Sequence, residues 1–520
     1  MVNDIIVGAT VKSTLTSIQR SREALDRTSE RIATGKRVNR PTDQPQNFFT
    51  AKSLNSTANN YNRLLDKMGL GVRTIQEALI GLEAIENVLN LAELKALEAK
   101  ETLEKTSSAL PDSILEDSPV GYFRLNDADG ATALNLGTLG AGGDGTYTGG
   151  VTQGDEILFY GAGGLAAKFD GSSFIAVPVD DSINTLGPYD EKTIELVFNA
   201  DTTSGRQVLF EEGGPVNNLS IYIDNGDLRV NGRTTSGGYG PLDISVPIEA
   251  GVTYTVALVQ DANNNRFSGF LNGEEFGSAF IPNGGIGSHP NRNAIGAIDQ
   301  DIYFHDDGPG NAPNRPDGSF AFRGEISDVA FYNSIISQAD LRERYEATSL
   351  PLSEAFRAET QEFLKQVQSI VDDTSFRGIN LLDNEDLIVD FNDQNTSKLK
   401  TDGGKFSIES LGLESINFQK PSQVEDAIAS IRAAIAEVRD YGFTLTNDLN
   451  IIESRQDFSR NLILNHKAGA TDLTIADLNQ EGANLLSQQV RLDLGTQALS
   501  LASQSQATIL QIFGSGSDLF

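Results

Sequence analysis

The sequence predicts a multidomain α+β protein. Long α-helical coiled-coil flanks at the N and C termini come together, a small β-hairpin region accompanies them, and an all-β sandwich is inserted between them. Three observations predict this. Apolar residues recur in three-, four- or seven-residue steps near both ends, and that period drops to two in the middle. Glycine divides the same way: of 50, residues 1–106 hold 5, residues 107–350 hold 35 and residues 351–520 hold 10. Charge does too, at +2, −22 and −12 of a total of −32. The expected organisation is 1–106 helical, 107–350 the sandwich, 351–420 a helix plus the β-hairpin region, and 421–520 helical.

In the first flank Val11, Ile18, Leu25 and Ile32 repeat every seven residues. The segment GKRVNRPTDQP, Gly35 to Pro45, stops that helix, because two prolines and a glycine cannot continue it. A second helix is expected from about Phe48. In it Leu65, Met68, Val72, Ile75, Leu79, Leu82 and Leu89 alternate three- and four-residue steps, the spacing of a coiled-coil seam. The C-terminal flank repeats the pattern at Val424, Ile428, Ile431, Ile435, Val438, Leu445, Leu449 and Ile452, and Leu485, Leu492 and Leu499 continue in sevens. Between Ser375 and Gly412, LIVDFN and KFSIESLGL alternate apolar and polar residues around TDGG, which reads as a β-hairpin.

One helix cannot satisfy a narrow apolar seam alone. An intramolecular bundle is one solution and self-assembly is the other. The outermost segments are rich in Ala, Ser, Thr, Gln and Leu, with little bulk for a monomer core. They are expected to order when neighbouring copies bury them. Ile18, Leu25, Ile32, Leu65, Val72, Ile75, Leu79, Leu82, Ile428, Ile431, Ile435, Val438, Leu445, Leu449, Ile452, Leu485, Leu492 and Leu499 therefore form the expected subunit-packing seam.

In the middle, Leu219, Ile221 and Ile223 alternate, Asp224-Asn225-Gly226-Asp227 turns, and Leu228 and Val230 alternate again. Asn225-Gly226 suits the positive φ angles of a type I′ hairpin turn. Tyr254, Val256 and Leu258 form another strand, and Asn272-Gly273 turns a second hairpin. Short strands between Gly, Asn and Asp clusters argue for an antiparallel sandwich.

Composition narrows the chemistry. With no Cys, disulfides, thiolate catalysis and Cys-ligated zinc are excluded. With 3 His, a histidine metal site would need His289, His305 and His466 to converge. The acidic balance disfavours a nucleic-acid partner. No apolar run reaches the ~18 residues of a membrane span, so membrane insertion is not expected. The start, MVNDIIVGATVKSTL, does not read as a Sec signal. There is no P-loop and no nucleophile elbow. No enzyme activity and no cofactor are expected, with calcium the one candidate ion. The loop Ile298 to Gly318 carries Asp299, Asp301, Asp306 and Asp307, and reads either as a solvated acidic loop or as an oxygen-rich calcium site. Tyr239, Tyr303 and Phe304 read as loop anchors or as platforms for sugar rings.

The flanks resemble bacterial flagellin. The likeness rests on SREALDRTSERIATGKRVNRPTDQPQNFFTAKSLN at one end, and on RGINLL, SRQDFSRNLI and ADLNQEGANLLSQQVRLDLGTQALSLASQSQATILQIF at the other. PQNFFTAKSLN with DLNQEGANLL is most similar to the alphaproteobacterial type. The resemblance implies an extracellular homo-polymer, the helical flagellar filament, exported unfolded through the flagellar channel. Its implied partners are the export apparatus, an export chaperone and the filament cap. The hook–filament junction protein shares the ATGKRVNRPTD-like turn, and the C-terminal stretch favours flagellin. The family's innate-receptor patch maps to NVLNLAELKALE, Asn87 to Glu98, which lacks the family's basic pair.

The middle resembles the laminin-G-like, concanavalin-A-type jelly roll. VGYFRLNDADGATALNLG, LAAKFDGSSFIAVP, SGFLNGEEFGSA and FRGEISDVAFYNSIISQADLRERY follow its order, with a short helix expected at Ser337 to Tyr345. The pattern's usual Trp is absent and Tyr254 stands nearby. That fold implies a possible glycan ligand, hence a filament-displayed adhesin as an alternative. Hydrolysis needs two carboxylates across one bond, whereas Glu211 and Glu212 are adjacent and point to opposite faces.

Overall fold

The helices are α1 (Ala9–Thr34), α2 (Pro45–Glu104), α3 (Leu110–Glu116), α4 (Gln338–Glu346), α5 (Leu350–Asp373), α6 (Pro421–Thr474) and α7 (Leu478–Gly514). The computed structural model describes residues 9–128, 130–161, 165–185, 189–234, 242–281, 284–289, 291–307 and 314–514. Helix α2 starts before Phe48, on Pro45, because a first helical position has no use for the N–H that proline lacks. Helix α6 passes unbroken through Gly442. Two compact units result: Met1–Leu79 with Ser375–Gly404 and Gly442–Phe520, and Ile80–Thr374 with Lys405–Tyr441.

In the first unit α1 runs antiparallel to α7. Arg31 Nη1 meets Glu481 Oε1 at 3.0 Å. The chain crossing between α6 and α7 pairs with the end of α1, where Ala476 N–H donates to Gly35 O at 3.0 Å. Asp477 restarts the helix, its Oδ1 accepting the Asn479 and Gln480 N–H groups at 3.0 and 3.1 Å. Strand Leu387–Asp390 pairs with Lys398–Thr401. Leu387 and Val389 turn inward, and Thr401 Oγ1 donates to Asp448 Oδ2 of α6 at 2.7 Å. The expected second strand, KFSIESLGL, is instead a run of turns, because Ser407 and Ser410 hydroxyls bond the local backbone and compete with a ladder.

In the second unit the helical part comprises α2 from Ile80, α5, and α6 up to Tyr441. Helices α2 and α6 are antiparallel, tied by Glu86–Arg439 (2.7 Å), Glu93–Arg432 (2.6 Å) and Lys100–Glu425 (2.9 Å). Lys95 reaches Glu359 of α5 at 2.9 Å.

The sandwich has two antiparallel sheets. The first runs Glu274–Phe280, Arg266–Leu271, Thr253–Asp261, Glu191–Ala200, Arg323–Tyr332, Leu165–Asp170 and Thr152–Ile157, with Gly121–Phe123 also on Arg323–Tyr332. The second runs Leu242–Pro247, Asp227–Arg233, Asn218–Asp224, Arg206–Gly213, Asn293–Ile295, Phe174–Val177, Gly145–Thr148 and Thr132–Ala133. Both expected hairpins are present, with Asn225 at φ 52° and Gly226 at φ 100° in the first. Phe198, Phe210, Ile221, Phe267, Ile326 and Phe331 fill the space between the sheets. Tyr254 packs tilted against Phe198, ring centroids 5.8 Å apart, and its hydroxyl accepts Glu249 N–H at 3.1 Å. Helices α3 and α4 cover the outer face of the first sheet through Leu110, Ile114 and Leu341. Ser337 caps α4 with a reciprocal capping box to Asp340.

Under those helices lies a charged knot. Arg344, 2% exposed, pairs with Glu195 and Asp117 and bonds Tyr332 Oη at 3.1 Å. Tyr332 Oη donates to Glu195 Oε1 at 2.6 Å. Arg344→Ala should therefore cost about 3–5 kcal/mol in denaturant unfolding, because Glu195 is left buried and unpaired. Nearby, Asp328 sits at φ 50° in a bulge and accepts the Tyr122 hydroxyl at 2.6 Å. Burial pushes its pKa up from 3.8 to about 7. The folded state thus favours neutral Asp328, so stability is fullest at low pH and falls as pH rises from about 4 to 7. Asp328→Asn should remove that component, so the variant gains on the parent across this window and stays level above it, read as melting temperature against pH.

Candidate assembly surface

The expected seam divides in two. In the helical part of the second unit, Leu82, Ile428, Ile431, Ile435 and Val438 are buried, with Ile85, Leu89, Ala92 and Ala96 beside them. In the first unit Ile75, Leu445 and Ile452 are buried, and Leu65, Val72, Leu79 and Leu449 half-buried. Leu82, Ile428, Ile431, Ile435, Val438, Ile75, Leu445 and Ile452 of the expected seam are thus buried within the single chain. An antiparallel partner helix in the same chain already covers them.

The terminal helices differ. Ile18, Leu25 and Ile32 of α1, and Leu485, Leu492 and Leu499 of α7, are only half-buried. The two helices approach closely where Gly495 faces Ile18, since a Cβ at 495 would lie 2.9 Å from Ile18 Cγ1. On another face of α7, Leu486, Val490, Leu494 and Leu501 are 64, 56, 59 and 66% exposed, and Leu15 of α1 is 44% exposed. Sequence reasoning named one stripe of α7 and missed this one. The signal was present: a helix apolar on most faces is built to be buried all round. Phe443, Phe458 and Leu464 add exposed apolar surface on α6. On α2, Leu91 and Leu94 of the Asn87–Glu98 stretch are exposed, and Lys95 is engaged by Glu98 at 2.8 Å as well as by Glu359.

In the sandwich most carboxylates of the acidic loop meet an arginine. Asp306 pairs with Arg206 at 3.0 Å and Asp307 with Arg315 at 2.6 Å. Asp299 meets Arg292 at 3.2 Å, and Asp301 Oδ1 accepts the Arg315 backbone N–H at 2.5 Å. Among the described residues no three His, Cys, Asp or Glu gather to hold a metal. The calcium candidates Asp299, Asp301, Asp306 and Asp307 act here as acceptors from arginine side chains and a backbone N–H. Phe304 and Tyr303 are buried, Phe304 between Tyr222 and Phe320, so they anchor the loop and offer no ring to solvent. Tyr239 lies outside the described residues.

The histidines stay apart in their roles. His289 Nε2 lies 3.3 Å from Glu212, His305 Nδ1 lies 2.8 Å from Tyr222 Oη, and His466 stacks on Tyr61. Glu211 and Glu212 do part: Glu212 joins Lys192 between the sheets, while Glu211 Oε1 accepts Asp299 N–H at 3.0 Å. Burial raises Glu211 well above the usual carboxylate range.

The geometry is that of a helical protein with exposed apolar side chains on its terminal helices and on α2 and α6, and with a β-sandwich inserted in the chain. Residues 9–113 match the bacterial flagellin N-terminal helical region. Flagellin FljO of Caulobacter vibrioides is 30% identical over 107 residues, 21% of this chain and 39% of that one. Flagellin FljM of the same organism is 26% identical over 167 residues, 31% of this chain and 59% of that one. A flagellin of Brucella melitensis is 33% identical over 87 residues, 17% of this chain and 31% of that one. The chain therefore spans well under two thirds of these relatives' length. Among solved structures, the botulinum neurotoxin serotype D binding domain aligns at a TM-score of 0.33 and 12% identity, covering 45% of this chain and 52% of that one. The serotype G binding domain aligns at 0.32 and 10%, covering 44% and 50%. No described helix is long and apolar enough to cross a membrane.

Millimolar calcium should leave the sandwich melting temperature unchanged. A rise of several degrees, reversed by chelator, would restore the cation reading of the Asp299–Asp307 loop.

Proposed function

We propose that the chain is a structural subunit of the bacterial flagellar filament, polymerising through its terminal helices and carrying residues 107–350 as an outward module. The observation that carries this reading is the apolar face Leu486, Val490, Leu494 and Leu501, left open by the α1–α7 pair. The flagellin-type N-terminal region supports it. Burying each such side chain against a neighbouring copy is worth about 1.5–3 kcal/mol. Four per subunit sum to about 6–12 kcal/mol, of the same order as the ~4–15 kcal/mol that association costs. The subunit works outside the cell after export through the flagellar channel, where an export chaperone and the cap are its further partners. No chemistry is required of it. The sandwich, at −22 over residues 107–350, gives the filament a strongly negative coat that disperses filaments and repels anionic surfaces.

Seeding purified protein with sheared filaments tests this by electron microscopy. The parent should extend seeds. Leu494→Asp should keep the parent's melting temperature and block extension. Ile431→Asp should instead unfold the helical part of the second unit, since that side chain is 0% exposed within the chain. If the parent adds one layer and stops, the junction-protein reading replaces this one. If Leu494→Asp extends normally, the assembly face is elsewhere.

A further inference from the structure

The inserted sandwich is joined to its helical frame by more than the two chain crossings at its ends. Residues 417–423, which reach the sandwich from the C-terminal flank, grip it at the start of α6. The Thr253 N–H donates to Gln419 Oε1 at 2.7 Å, and Gln419 Nε2 donates back to Thr253 O at 3.1 Å. A buried amide thus serves as a substitute strand for the first residue of Thr253–Asp261. Gln423 Nε2 adds a bond to Gly251 O at 2.9 Å. Next to this, Lys420 Nζ meets Glu325 Oε2 at 2.8 Å, while Lys168 of the sandwich holds the other oxygen at 3.0 Å. Gln419 is 4% exposed, Lys420 8% and Glu325 1%.

These contacts are chemically specific. Gln419 satisfies a donor and an acceptor that no neighbouring strand reaches, and Lys420 brings a second cation to a carboxylate on a central strand that Lys168 already meets. Pro421 follows at once as the first residue of α6, so the grip is built onto the end of a 54-residue helix. A buried pair of this kind is little screened by salt.

We infer that Gln419 and Lys420 are positioning residues that lock the inserted sandwich in one orientation on the helical frame of its own unit, so that it is displayed as a rigid fixture and not as a tethered bead. The inference concerns the single chain and stands whether or not the chain polymerises.

The absence of native cysteine gives a clean test. Spin labels at Ser245→Cys on the sandwich and Ala433→Cys on α6, both exposed positions, report their separation by pulsed electron resonance. In the full chain one narrow distance is expected, unchanged in 1 M salt. Adding Gln419→Ala and Lys420→Ala should broaden the distribution at least twofold while circular dichroism stays that of the parent. Lys420→Arg with Gln419 intact should restore the narrow distance, which a merely structural loss would not do. A broad distribution in the unaltered grip, or a narrow one after both alanine changes, overturns the inference.

Discussion

A long helix with an apolar stripe is unstable in water until something covers that stripe. The covering of α2 by α6 is the constraint from which the other features follow. The two helices come from opposite ends of the chain, so their pairing closes a loop of several hundred residues. The pairing is antiparallel, and its ion pairs keep one register: Glu86 with Arg439, Glu93 with Arg432, Lys100 with Glu425. Once the chain ends are brought together this way, any segment between them can vary in length without disturbing the seam, because loop closure costs rise only slowly with length. A whole sandwich can therefore occupy the connection.

The sandwich is held by apolar burial between its sheets and by a few charges that are buried only where they are paired. Glu195 with Arg344, Glu212 with Lys192, and Glu325 with Lys168 and Lys420 each place a carboxylate in a dry setting with a cation against it. Such pairs add little net stability over apolar replacements, but they tolerate few alternative arrangements. They occur where elements of different sequence origin meet: α4 on the first sheet, the two sheets on each other, and the C-terminal flank on the sandwich. Apolar contacts set how strongly these pieces adhere, and the charges set the geometry in which they do so.

The terminal helices follow a different logic. Gly495 lets α7 approach α1 closely, yet the facing side chains stay half-buried and a second stripe stays open. Periodicity made the first stripe legible, since Leu485, Leu492 and Leu499 stand seven apart. It hid the second, because Leu486, Val490, Leu494 and Leu501 follow four-, four- and seven-residue steps interleaved with the first. In the same way, Asp299, Asp301, Asp306 and Asp307 in one loop look like a cation site until Arg206 and Arg292 arrive from elsewhere and Arg315 folds back from within the loop. Ligand sets built from distant residues cannot be counted from one loop.

What the sequence by itself determined was local: where helices run and stop, where the period changes to two, where Asn-Gly turns a hairpin, and that glycine and acid mark off a separate module. Each depends on backbone conformation and on neighbours a few residues away, so each is written in consecutive letters. Only the tertiary structure decided which apolar stripe is spent inside the chain and which is left over. That choice depends on partners hundreds of residues distant, and a seam satisfied by its own chain carries the same spacing as one that waits for a neighbour.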